Sequence, residues 1–230
     1  MRTAAVLPVK RFTLAKQRLG ESVEDGLRLD LARAMVGDVL DALARTRSIE
    51  RTIVVTNEES IAGTAHGLGA TVIPDTAESG QSAAVALGIA LAASGGIERV
   101  LCVPGDCPAL DPSELDALLS DPVDQPGGRG LVVIVPDRHG TGTNGLLLTP
   151  PTAIDPSFGP GSCSRHADLA RDAGSSCRLE HPSSLLLDID TGADLAALRE
   201  RLAQARGGAR RTREVLGAGE SSAGAASGSG

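Results

Sequence analysis

Three carboxylates stand where apolar runs break off. Asp106 ends the run in "VLCVPGDCPAL" (100–110), where Pro104 and Gly105 turn the chain just before it, and Asp188 and Asp190 end the run in "LLLDIDTGADL" (185–195). Side chains of a strand alternate faces, so Asp188 and Asp190 should point the same way while Ile189 points back to the core. Two like charges on one face repel, so something cationic belongs between them. Oxygen ligands with no His or Cys nearby favour Mg2+ over zinc. Two of the three also have a plainer reading. An Asp beside Pro and Gly often bonds its own backbone in a turn, and T-x-x-D at Thr191–Asp194 is the N-cap pattern of a closing helix over "LAALRERL". The cap accounts for Thr191 and could absorb Asp190, but it gives Asp188 no role.

Cations and glycines supply the other half of the chemistry. "PVKRFTLAKQRLG" places Lys10, Arg11, Lys16 and Arg18 directly after the first apolar run. A solvated charge run is the ordinary reading, yet one basic cluster in an acidic chain also suits a nucleotide triphosphate, whose charge it would offset. "RHGTGTNGLL" gathers Gly140, Gly142 and Gly145 around Thr143 and Asn144, a loop fit for close backbone approach. In "FGPGSCSRHADLARDAG", Gly159 and Gly161 should expose backbone N–H groups, and Ser162 or Ser164 should cap a helix whose N-terminus favours an anion. His166, on that first turn, reads as a packing or solvated histidine rather than a catalyst. Cys102, Cys107, Cys163 and Cys177 form no C-x-x-C pair and read as small buried or part-buried thiols.

These residues need a scaffold, and the hydrophobic pattern describes one. Apolar runs at Thr3–Val9, Arg51–Thr56, Ala70–Pro74, Arg99–Pro104 and Gly130–Pro136 read as buried strands. Between them, Leu27, Leu31, Met35, Val39 and Leu43 recur at helical spacing over about Glu24–Ala44, and Gln81–Ala93 is Ala-rich and helical. This alternation predicts a single-domain, Rossmann-like α/β fold, with a mostly parallel sheet, helices on both faces and ligands at the carboxyl ends of the strands. The domain is expected over 1–205. Residues 206–230, ending in Gly, Ser and Ala, are expected to be a disordered tail.

Composition narrows the function. A net charge of −7 disfavours a general nucleic-acid binder. Phe12 and Phe158 are the only aromatics, so a bound base would be read by backbone groups and small side chains. The opening segment is too short and too broken by Pro8 to be a signal peptide, and no run approaches membrane-spanning length, so a cytoplasmic protein is expected.

Taken together, "PVK…AKQRL", "PGDCP", "GTGTNGLLL", "FGPGS" and "DIDTGADL" resemble, in order and over about residues 3–203, the guanylyltransferases of coenzyme F420 biosynthesis. That family joins GTP to phosphoenolpyruvate or 2-phospho-L-lactate within the wider MobA-like nucleotidyltransferases. The resemblance implies Mg2+ held by Asp106, Asp188 and Asp190, catalytic phosphate contacts by Lys10 and Lys16, and substrate contacts by Thr143, Gly159 and Ser162. It implies GTP and a small phosphorylated carboxylic acid as partners, with phosphoenolpyruvate preferred over 2-phospho-L-lactate or 3-phospho-D-glycerate. It leaves room for a homodimer and for hand-off of an unstable product to the next enzyme. At "SGQSAAV", Gln81 and Ser82 replace a Leu-Asn pair common in relatives, which weakens any guanosine or ribose contact there. The other readings are a MobA-like transferase acting on a sugar phosphate or molybdopterin cofactor, and a nucleotide-binding module without turnover.

Overall fold

β-Branched and aliphatic residues sit well on a pleated surface covered from both sides, and the apolar runs form strands for that reason. The computed structural model describes residues 1–12, 24–76, 78–120, 130–205 and 207–217. Its strands are β1 (Thr3–Val9), β2 (Arg51–Thr56), β3 (Thr71–Ile73), β4 (Arg99–Cys102), β5 (Leu131–Pro136), β6 (Thr143–Thr149) and β7 (Ser176–Leu179). They make one sheet in the order β3-β2-β1-β4-β6-β5-β7. β6 pairs antiparallel with β4 and β5, and the remaining pairs are parallel.

The helices are α1 (Asp25–Arg45), α2 (Glu59–Gly67), α3 (Gln81–Ser94), α4 (Pro112–Ser120), α5 (Ser162–Asp172) and α6 (Gly192–Gln204). Alternation along β1 divides the core between the two faces. Ala5, Leu7 and Val9 pack with residues of α1, α2 and α4, whereas Ala4 and Val6 pack with α3 and α5. The mostly parallel α/β architecture expected from the pattern is therefore present.

Three expectations need correction. The glycine-rich segment around Thr143 is not simply a loop, because residues 143–149 form the antiparallel strand β6. Its "LLL" run is buried between β4 and β5, and the sheet supplies hydrogen-bond partners that a loop would lack. The run before Asp188 is not a strand. A 3-10 turn occupies Ser183–Leu185, and the Ile189 amide donates to the Asp106 carbonyl at 3.1 Å instead of joining a ladder.

The third correction concerns the tail. Residues 210–217 are helical. Ala209 and Leu216 are buried in a cluster with Leu31 and Met35 of α1, Leu198 and Leu202 of α6, and Ile189. Asp38 of α1 accepts from the Arg211 and Thr212 amides at 3.0 and 2.8 Å, satisfying donors that a helix start leaves open. The disordered reading fails here because two apolar side chains, widely spaced in the sequence, find a prepared surface. Residues 218–230 lie outside the described residues.

Candidate active site

The strand ends and the helix starts leave a cleft of about 310 Å³ above the carboxyl ends of β1 and β4. Lys10, the first residue after β1, lines it, and Asp106 and Asp190 line it as well. Met35 and Val36 of α1 contribute apolar wall, and Gly80 and Gln81 bring the start of α3 to it. Asp75, which the sequence pattern did not single out, also lines the cleft. Gly105 is required by close approach, since a Cβ there would lie 2.9 Å from Val36 Cγ2. The turn can thus pass tightly beneath α1 and present Asp106 to the cleft.

The structure brings the three sequence-selected aspartates together. All are half-buried, and the backbone bond from Ile189 to Asp106 ties the two segments. Ile189 is fully buried between its two acidic neighbours, so the alternation expected of a strand survives in irregular backbone. Burial, followed by repulsion from Asp106, raises the pKa of Asp188; Asp190 adds to the rise, and a hydrogen bond from Asn144 opposes it. Asn144 Nδ2 donates to Asp188 Oδ1 at 3.1 Å and to the Leu185 carbonyl at 2.8 Å. Sequence reasoning noted Asn144 only as a polar loop residue; its role in orienting Asp188 depends on β6 lying beside the acidic turn. Among the described residues no group of three or more His, Cys, Asp or Glu side chains is gathered closely enough to hold a metal ion. The donor set is nevertheless all oxygen, and its mutual repulsion is what a divalent cation would relieve.

Asp190 also joins the start of α6. Thr191 and Asp194 form a reciprocal capping box, as the T-x-x-D pattern predicted, and the Asp190 amide donates to Asp194 Oδ2 at 3.1 Å.

Of the basic residues, Lys10 is exposed at the cleft, and Arg11 is paired with Glu78 at 2.8 Å. Lys16 and Arg18 lie outside the described residues.

Thr143 and Ser162 meet near the same sheet edge, where β6 begins and α5 starts. Ser162 Oγ donates to Thr143 Oγ1 at 3.0 Å, and Thr143 Oγ1 lies 3.1 Å from His166 Nδ1. Neither serine caps α5. The N-cap is Gly161 in the left-handed region with no side-chain cap bond, and Ser164 Oγ donates to the Gly161 carbonyl. Nor does the helix start offer all its amides to an anion, because the Ser162 amide donates to the Gly159 carbonyl and that of Cys163 to the Thr141 carbonyl. Gly159 is exposed at φ +111°, a conformation that side-chain-bearing residues rarely adopt. His166 is fully enclosed, which decides for packing between the two readings, packing or solvated, that the sequence left open.

A model of the family described as "Guanylyl transferase CofC like" matches residues 3–215. The chain belongs to this guanylyl transferase family. The match extends past residue 205 and so includes most of the docked C-terminal helix. This family member is 50% identical over 216 residues to a phosphoenolpyruvate guanylyltransferase of Conexibacter woesei, covering 94% of this chain and 96% of the relative. It is 33% identical over 198 residues to a 2-phospho-L-lactate guanylyltransferase of Methanothermobacter thermautotrophicus, covering 86% and 84%. Among solved structures, it resembles a Methanothermobacter nucleotidyl transferase with TM-score 0.59 and 18% identity over 89% of this chain and 99% of the other. That likeness bears on the fold alone. Family membership makes the protein a nucleotidyltransferase and favours guanylyl transfer over the other readings of the sequence. No helix among the described residues is long and apolar enough to cross a membrane.

Proposed function

We propose that this enzyme transfers GMP from GTP to phosphoenolpyruvate and releases pyrophosphate, in the cytoplasm and within coenzyme F420 biosynthesis. The observation that carries the reading is one cleft with Lys10 and the aspartates Asp106 and Asp190 on its lining, at the sheet edge where an α/β fold takes its ligands. Half identity to the Conexibacter relative over nearly the whole chain supports phosphoenolpyruvate as acceptor.

In this reading Lys10, with Lys16, holds the triphosphate, while Thr143, Ser162 and the exposed Gly159 backbone hold the phosphorylated acid. Asp106, Asp188 and Asp190 would hold Mg2+, which when bound neutralises phosphate charge and lowers the repulsion between the two anions. A phosphate oxygen of the acceptor attacks the α-phosphorus of GTP, and the bond to the β-phosphate oxygen breaks with its electron pair leaving on pyrophosphate. The acceptor phosphate is largely ionised at neutral pH, so no side chain need remove a proton. The protein's task is then to align two anions and exclude competing geometries. A homodimer and hand-off of the labile product to the next enzyme belong to the same proposal.

Pyrophosphate release measured with GTP, Mg2+ and each of phosphoenolpyruvate, 2-phospho-L-lactate and 3-phospho-D-glycerate tests it. Turnover highest with phosphoenolpyruvate is expected. Highest turnover with 2-phospho-L-lactate would move the acceptor to that of the Methanothermobacter relative, and no release with any of the three would remove the reading.

A further inference from the structure

The reaction described above does not use His166, yet both of its ring nitrogens are engaged. The Ser157 amide donates to Nε2 at 2.9 Å, and Nδ1 lies 3.1 Å from Thr143 Oγ1. A backbone N–H can only donate, so Nε2 must carry the lone pair. Burial, with Arg165 adding to it, pushes the ring's pKa down to about 4, so the imidazole is neutral at physiological pH. A neutral ring has one N–H, and here it must be on Nδ1, directed at Thr143 Oγ1.

That assignment determines what the hydroxyl pair can do. Thr143 and Ser162 bring two hydroxyl hydrogens, and the 3.0 Å bond between them uses one. With Nδ1 as donor, the imidazole cannot take the second. Were the hydrogen on Nε2, Nδ1 would accept it and the pair would have nothing to give an anion. We propose that His166 is a positioning residue whose Nδ1–H tautomer commits the Thr143–Ser162 pair to donate its remaining hydrogen to the anionic acceptor. This rests on the reading of Thr143 and Ser162 as acceptor contacts. The loop carrying Gly159 has its own support, because Arg165 bonds Ser157 Oγ at 3.1 Å and the Ser157 carbonyl at 2.9 Å. The imidazole's distinctive task is therefore to set proton direction as well as to fill space.

The test compares His166→Gln, His166→Asn and Thr143→Val in the full chain, by KM for phosphoenolpyruvate, KM for GTP, and melting temperature. Gln can replace the Nε2 acceptor but directs no hydrogen at Thr143; the Asn amide can occupy the place of Nδ1 and donate. Expected are rises in the phosphoenolpyruvate KM of roughly 10- to 100-fold for His166→Gln and Thr143→Val, with the GTP KM within about twofold. His166→Asn should recover to within about fivefold of wild type. A KM rise in Thr143→Val but not in His166→Gln overturns this proposal alone. No rise in Thr143→Val overturns the acceptor placement and the proposal with it. A fall in kcat and melting temperature without the KM split makes His166 merely structural and also overturns it. The wild type gives an answer that needs no variant to fold: 15N NMR of labelled histidine should show His166 protonated on Nδ1 and bare on Nε2, and the opposite tautomer overturns the proposal.

Discussion

Around the turn that follows β4, Asp106, Asp188 and Asp190 hold three carboxylates in half-buried positions, with Asp188 feeling both of the others. Where β6 and α5 begin, Thr143, Ser162 and His166 form a neutral, buried chain of hydrogen bonds. The acidic wall holds like charges close enough to raise the pKa of Asp188, and in the proposed reading its geometry tightens when a cation enters. The hydroxyl wall is already set by its own partners. In the proposed reading a site that binds two anions uses this division: the acidic wall gathers charge when a cation enters, and the hydroxyl wall gives the acceptor a fixed reference.

The sharpest way to break the comparison is Asp188→Asn. Loss of this carboxylate should lower Mg2+-dependent turnover by roughly 1000-fold. The melting temperature without metal should hold or rise, because a repelling buried charge has gone. Near wild-type turnover would remove the carboxylate from the proposed metal site, and a large fall in melting temperature would mean that the acidic wall is not electrostatically strained.

Deleting residues from 207 onward tests what supports that wall from behind. Ile189, between the two carboxylates, shares a cluster with Ala209 and Leu216, and Asp38 would lose both amide donors. The truncated chain should lose about 4 kcal/mol in denaturant unfolding, from lost apolar burial and two lost charge-assisted hydrogen bonds. Unchanged stability would show that the C-terminal helix is only an attachment.

Acid should act on the two walls with opposite sign. His166 is depressed to about 4 in the fold from an ordinary 6.5, so the unfolded chain binds its proton first. Its contribution is therefore complete above about pH 6.5 and is lost as pH falls towards 4, a loss on the order of 3 kcal/mol. Asp188 is raised in the fold, so its ionised form weighs against folding, and this penalty is relieved as pH falls through its raised pKa. Denaturant unfolding across pH 4–7 should show wild type losing more stability than His166→Asn. In Asp188→Asn the loss should be steeper, since the offsetting carboxylate is absent. Parallel curves for all three would abolish the contrast.

The smallest expected effect is that of Gly159→Ala. A Cβ there would find open space, with Arg165 Nη2 nearest at 3.9 Å, so the penalty comes from φ +111° and not from a clash. About 1–2 kcal/mol of stability should be lost. The phosphoenolpyruvate KM should rise more than the GTP KM; the reverse would exchange the two substrates between the walls.

Much of this protein could be read before its fold was known. The period of Leu27, Leu31, Met35, Val39 and Leu43 marks α1, the unbroken apolar runs mark β1, β2 and β5, and Thr191 with Asp194 marks the start of α6. Those signals are local, because side-chain period and capping are set by neighbours along the chain. The aspartates and glycines stood out for the same reason, as polar or flexible residues interrupting local patterns. Relations between distant segments were not legible. Strand β6 needed the sheet positions beside β4 and β5, Asn144 reached Asp188 only across that strand, and the helix over 210–217 needed Asp38 some 170 residues earlier. His166 shows the divide most plainly. The sequence left it either packed or solvated, and the nitrogen that carries its hydrogen depends on a Ser157 amide and a Thr143 hydroxyl brought to the ring by different segments. Hydrogen-bond direction and carboxylate repulsion act over a few ångströms in space, whatever the separation in sequence, and only the tertiary structure decides which groups come that close.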